Sequence, residues 1–152
     1  MKNWLIIMFS KILKNDEEQI TLCDLITQIK KSPKIDECGA ILSFEGIVRG
    51  KEEGKKVQKL IMSTPNIEQT ENELIKIIND VKNKYKVAEI AAVHFIGEFY
   101  TGDSLVLVVV AGAHREETRD ALKESIERIK YELNFKKEEF SDDGKNIIMS
   151  GG

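Results

Sequence analysis

The sequence is poor in the residues that staple or interrupt small folds: it has two cysteines, two prolines, one tryptophan and two histidines. Cys23 and Cys38 stand apart, with no Cys-x-x-Cys and no histidine at ligand spacing, which argues against a disulfide framework and a zinc site. Both thiols are expected to be buried. The apolar run near the start, Trp4 to Phe9, is six residues long. A membrane helix needs about 20 residues and a signal-peptide core at least about 7. No membrane association is expected, and a cytoplasmic location follows. Charge of one sign is also lacking: 23 basic residues face 26 acidic ones, for a net charge of −3. No global positive field draws in a nucleic acid, so any anion site has to be local.

What is present suits a folded enzyme or binding domain. The 152 residues are 41% hydrophobic and 32% charged, enough for one closed core without metal or disulfide support. No repeat or linker divides the chain, and a single domain over residues 1–152 is expected.

Hydrophobic spacing supplies the elements. Leu5 to Leu13 reads as a strand, and Thr21 with Asp24 makes a capping box for a helix through Lys30. From Gly39 the run GAILSFEGIV alternates, with Leu42, Phe44, Gly46 and Val48 on one face. It enters the charged segment Arg49 to Lys56, and a second strand from Val57 to Met62 is expected to pair with it as a hairpin. Thr64 and Pro65 suggest the start of an amphipathic helix over 65–85, with Leu74, Ile77, Ile78 and Val81 inward. Strands follow around Ile90 to Ile96 and Leu105 to Ala111, joined by the turn Thr101-Gly102-Asp103. A last helix carries Leu122, Ile126, Ile129 and Leu133, and a turn at Asp142-Asp143-Gly144 leads to a strand from Asn146 to Met149. The order indicates an α+β fold, helices packed on a mostly antiparallel sheet.

Three clusters could carry chemistry. Ala113-His114-Arg115-Glu116 lies where a strand gives way to a helix, so free backbone N–H groups meet two side chains able to bind phosphate. Simple ion pairing of His114 and Arg115 with Glu116 or Glu117 accounts for the same residues. Lys130, Lys136 and Lys137, followed by Glu138 and Glu139, sit at the end of the last helix, where lysines complement the dipole in any case. Arg49 stands at a strand end, and a solvated hairpin tip is its plainer reading. His94 is expected to be a partly buried, hydrogen-bonded histidine without a catalytic role.

At about 1.5 Å per residue, a continuous helix separates His114 from Lys130 by roughly 24 Å. One small ligand cannot touch both within a chain. If they share a site, two chains build it, and a symmetric homodimer is the simplest arrangement.

Several segments stand in a distinctive order and spacing: Cys38-Gly39-Ala40, Phe44-Glu45-Gly46-Ile47-Val48-Arg49-Gly50, Val93-His94-Phe95-Ile96-Gly97-Glu98, Gly102-Asp103, Ala113-His114-Arg115, Ile129-Lys130, and Phe135-Lys136-Lys137-Glu138-Glu139. Together they resemble the large subunit of molybdopterin synthase. The resemblance covers about residues 38–148. It implies an α/β hammerhead-like fold and a heterotetramer, in which a central homodimer carries a small sulfur-carrier subunit at each end. The carrier's C-terminal Gly-Gly thiocarboxylate would enter a pocket and give sulfur twice to cyclic pyranopterin monophosphate, forming the molybdopterin dithiolene. Molybdenum enters later, so neither a metal nor a cofactor is implied. Ile47, Val48, Arg49, His114, Arg115, Lys130, Lys137, Glu138 and Glu139 would contact substrate, with Lys130 and Lys137 catalytic. Arginine offers a bidentate fork for phosphate, and a lysine among cations can move protons or stabilise an oxyanion.

Some positions depart from the family's usual residues. Phe95 stands where an arginine is usual, Asn134 and Lys136 replace a proline and a tryptophan, and Ile61-Met62-Ser63-Thr64 replaces an aromatic, acidic stretch. A relative that kept the phosphate site but lost turnover would instead act as a carrier or regulator of pterin supply, and Lys130 separates the two readings. The chain ends Ser150-Gly151-Gly152, the kind of tail that sulfur carriers use, although short ends of small residues are common.

Overall fold

A computed structural model describes residues 10–148. The elements are β1 (Ser10–Lys14), α1 (Leu22–Lys30), a 3-10 turn (Ile35–Glu37), β2 (Ala40–Ile47), β3 (Lys51–Glu52), β4 (Lys55–Ser63), α2 (Ile67–Tyr85), β5 (Glu89–Phe99), β6 (Ser104–Gly112), α3 (Arg115–Glu132), β7 (Lys136–Ser141) and β8 (Gly144–Ile148). This is the expected α+β arrangement: the strands form one sheet, ordered β2-β6-β5-β4-β7-β8, with β1 on β5 and β3 on β4. The β1–β5 pair is parallel and the other pairs are antiparallel.

β5 organises the molecule because it carries two successive ladders. Residues 89–94 pair with β6, and residues 97–99 pair with β4. On the edge away from β6, β1 runs alongside as far as the Lys14–Ile96 pair, and β4 takes over at Gly97. The handover requires a backbone conformation that side chains resist, since Gly97 has φ of 129° and a Cβ there would meet the Asn15 side chain at 2.1 Å. Asn15 itself seals the junction through its N–H to the Ile96 carbonyl and its side-chain amide to the Glu98 carbonyl.

Helices α2 and α3 pack on each other, α3 lies over β6 and β2, and α2 lies over β1 and β5. α1 instead contacts β6 and β5. Every residue from Glu89 to Phe95 is consequently buried, both faces of the strand being covered. At roughly 25 cal/mol per Å² of apolar surface removed from water, β5 and its neighbour β6, whose Leu107 to Ala111 are also fully buried, contribute strongly to the stability of the fold. The α1 capping box forms as expected, with Thr21 accepting from the Asp24 N–H and Asp24 accepting from the Thr21 N–H. Buried Glu89 ties three segments together, accepting from the Ser32 hydroxyl at 2.5 Å and pairing with Lys82 at 3.0 Å.

Several sequence-based expectations require correction. β2 pairs with β6 and not with the following strand. The local hairpin is β3–β4, closed by Glu53 and Gly54, both at positive φ as a tight primed turn demands. β2 departs because its backbone turns away at Val48, which exchanges hydrogen bonds with Gly102 and Asp103. α2 begins at Ile67 with Asn66 as its N-cap, and the Thr64 hydroxyl bonds that of Thr70 instead of capping. The buried face of α3 is Thr118, Ala121, Ser125 and Ile129, while Leu122 and Ile126 are half-buried. Cys23 is exposed and Cys38 half-buried, contrary to the expectation of two buried thiols. Cys23 lies two residues from inward-facing Leu25, on the opposite side of α1. The first strand is described only from Ser10, so residues 5–9, Met149 and the Ser150-Gly151-Gly152 tail lie outside the described residues.

Candidate active site

The largest correction concerns the end of α3, and it creates the site. Lys136 and Lys137 are not in a last helical turn: α3 stops at Glu132, Leu133 is extended, and β7 begins at Lys136. The chain turns because Leu133 and Phe135 are both pulled into the core, with the Phe135 N–H donating to the Leu133 carbonyl across Asn134. β7 then pairs along β4, placing Lys137 opposite Met62. Strand alternation separates the cluster: Lys137 and Glu139 share one face, and Lys136 and Glu138 share the other.

A cavity of about 370 Å³ opens where α3, β2, β6, β5, β4 and β7 meet. Lys130, Lys137 and Arg49 line it together with His94, and the remaining wall is apolar, including Phe44, Met62, Ile126, Ile129 and Phe135. A smaller pocket of about 70 Å³ shares Ile47, Arg49, Leu105 and Lys137 with it and adds Val48 and Glu139. Five of the residues singled out in the sequence, Ile47, Val48, Arg49, Lys137 and Glu139, thus surround one small volume, with Lys130 on the main cavity.

The electrostatics favour an anion. Among the described residues, neither Lys130 nor Lys137 has a carboxylate within 4.0 Å, whereas Arg49 pairs with Glu52 at 3.3 Å. Lys130 lies 5.6 Å from the Tyr131 ring centre, a weak cation–π contact. Two unneutralised ammonium groups on an apolar-walled cleft attract an anionic group more strongly than they would in open water.

The remaining predicted residues lie elsewhere. Glu138 faces away and is held by Lys145 at 3.2 Å and Lys136 at 3.8 Å. His114 is the N-cap of α3 and Arg115 its first residue, and both are exposed. Each makes the local pairing that the plainer sequence reading anticipated, His114 by a 3.4 Å contact of Nδ1 with the Glu117 carboxylate and Arg115 by an ion pair with Glu116 at 3.7 Å. The His114 side chain does not cap the first turn of α3, and among the described residues no side chain bonds its free amides, which suits them to an anion. α3 is continuous between them and Lys130, so the expected separation of roughly 24 Å holds within one chain.

His94 is the wall residue that sequence reasoning set aside. It is buried and hydrogen-bonded as anticipated, through Nδ1 to the Phe95 carbonyl at 2.8 Å, and its ring stacks on Phe135 with centroids 4.2 Å apart. Burial pushes its pKa down to about 4, so the imidazole is neutral near pH 7. Its position in an alternating apolar strand gave no sign that one edge would reach a cavity; Phe135, forty-one residues later, supplies that wall.

Comparison with known proteins agrees with this architecture. Residues 16–132 match the family model described as MoaE protein. The chain is 32% identical to the molybdopterin synthase catalytic subunit of Escherichia coli (strain K12) over 114 residues, covering 74% of this chain and 75% of the relative. It is 31% identical to the subunit of the same name from Bos taurus over 135 residues, or 89% of this chain and 69% of that one. The X-ray structure of molybdopterin synthase from Staphylococcus aureus superimposes with a TM-score of 0.80 at 26% identity, covering 93% of this chain and 98% of the other. From the family match, the sequence identities and the shared fold, the chain belongs to the MoaE protein family.

Proposed function

We propose that the chain is the catalytic subunit of a molybdopterin synthase, a sulfurtransferase that converts cyclic pyranopterin monophosphate to the molybdopterin dithiolene. The observation that carries the reading is the meeting of Lys130 and Lys137, neither paired with a carboxylate among the described residues, on one apolar-walled cavity. An apolar-walled cavity lined by two such cations suits the carboxylate or thiocarboxylate end of an extended small-residue tail, and a small sulfur-carrier subunit with a C-terminal Gly-Gly is the partner that offers one. Lys130, on the rigid last turn of α3, is the residue to move protons or stabilise the oxyanion as the acyl intermediate hydrolyses. Lys137 holds the transferring end, and Arg49 at the mouth takes the substrate phosphate.

His114 and Arg115 complete the substrate site from a second copy of the chain. Within one copy α3 holds them too far from Lys130, whereas a symmetric dimer brings the start of one α3 to the end of the other. The assembly is then a heterotetramer, a homodimer of this single-domain chain with one carrier at each end. No helix among the described residues is long and apolar enough to cross a membrane, and the proposed location is the cytoplasm. Incubating the purified chain with a thiocarboxylated carrier and cyclic pyranopterin monophosphate tests the proposal. Dithiolene product supports the synthase, and precursor binding without product supports a non-catalytic carrier or regulator of pterin supply.

A further inference from the structure

The side chains that line the cavity of about 370 Å³ have an imbalance of hydrogen-bonding groups. Its charged lining residues, Arg49, Lys130 and Lys137, can only donate. Its apolar side chains neither donate nor accept appreciably, Met62 offering only a weak thioether. The exception is His94. Its Nδ1 faces the Phe95 carbonyl, which can only accept, so Nδ1 carries the proton and Nε2 is a bare acceptor in the neutral ring. Nε2 has no hydrogen-bond partner among the described residues, and His94 is one of the residues that line the cavity with Lys130 and Lys137. The Phe135 stack and the Phe95 carbonyl fix the orientation of its ring.

We propose that His94 is a ligand-contacting residue whose Nε2 accepts a hydrogen bond from the backbone N–H of the terminal glycine of the carrier tail. The inference rests on the sulfurtransferase reading and extends it. A tail ending in glycine brings an anionic terminus, met by Lys130 and Lys137, and one amide N–H close behind it, for which His94 is the one neutral side-chain acceptor other than the weak Met62 thioether among the lining residues. His94 thereby discriminates an amide-linked end from one that lacks the donor, since a site built to receive a hydrogen bond rejects partners that cannot give it.

The test is a two-by-two binding cycle on the intact chain. The cognate carrier ending in Gly-Gly is compared by calorimetry with a semisynthetic carrier whose last glycine is glycolate, an ester that replaces the N–H with oxygen and adds no bulk. Each is measured against the unaltered chain and against His94→Phe, which keeps a ring on Phe135 but has no acceptor. The unaltered chain should bind the amide carrier about tenfold more tightly than the ester, and His94→Phe should bind both equally. His94→Gln, whose side-chain oxygen restores an acceptor, should recover part of the preference, and thermal unfolding of each variant confirms that it is folded. An amide preference that persists in a folded His94→Phe would overturn the assignment while leaving the sulfurtransferase reading intact. Failure of the unaltered chain to bind either carrier would overturn both.

Discussion

Lys136 and Lys137 are neighbours in the chain and face opposite sides of β7: Lys137 lines the central cavity, while Lys136 lies beside Glu138 at 3.8 Å. Lys137→Ala is accordingly expected to lower the rate of dithiolene formation by about 10- to 100-fold, the loss of one charge-assisted contact. Lys136→Ala should stay within about twofold, because its ion pair is surface-exposed and weak. Steady-state product formation by the two variants measures the difference, and equal losses would place both lysines in the same role.

Arg49 sits at the cavity mouth with a side chain 78% exposed, paired among the described residues with nearby Glu52. Its proposed task is to hold a phosphate, which is as strong in the bound ground state as in the transition state. Arg49→Ala should therefore raise KM for the pterin substrate about 10- to 100-fold with little change in kcat. A fall in kcat at unchanged KM would instead put Arg49 at the reacting centre.

Acid should loosen the fold through His94. Its pKa is about 6.5 in an open chain and about 4 when buried. Between those values the unfolded chain binds the extra proton, so stability rises with pH and is fully present above about pH 6.5. It is lost as pH falls towards 4, by about 3 kcal/mol from this group. Urea unfolding at pH 7 and pH 4.5 should show a steeper loss in the unaltered chain than in His94→Phe, and parallel losses would contradict the buried neutral ring.

Gly97 is placed where β5 passes from one partner strand to the next, at φ of 129° with the Asn15 side chain against it. Gly97→Ala should cost about 1–3 kcal/mol, through backbone strain and displacement of Asn15. Denaturant midpoints give the answer, and an unchanged midpoint would show that the junction tolerates a Cβ.

The sequence made most of the helices and central strands legible because their apolar periods are local. Thr21 and Asp24 marked the start of α1, and Leu74, Ile77, Ile78 and Val81 marked the inner face of α2. Strand pairing was not local and was less readable: β2 looked like the partner of the next strand, but it lies against β6, some sixty residues away. The same limit hid β7, whose lysines and glutamates show no apolar alternation and follow a helix, so that they resembled its continuation. Lys130, Lys137 and Arg49 were identifiable as candidates through family resemblance, whereas their meeting depends on the Leu133–Phe135 corner. His94 was readable as a buried histidine but not as a wall of the cavity, because that wall is completed by Phe135 from another element.

The central claim, that Lys130 performs sulfur transfer at a preformed anion site, is tested most directly by Lys130→Ala in single-turnover assays with thiocarboxylated carrier, alongside calorimetric binding of cyclic pyranopterin monophosphate. The account predicts a loss of product formation of at least about 100-fold, with precursor affinity changed by less than about threefold. Product formation at the unaltered rate, or a loss explained wholly by weaker precursor binding, would contradict it.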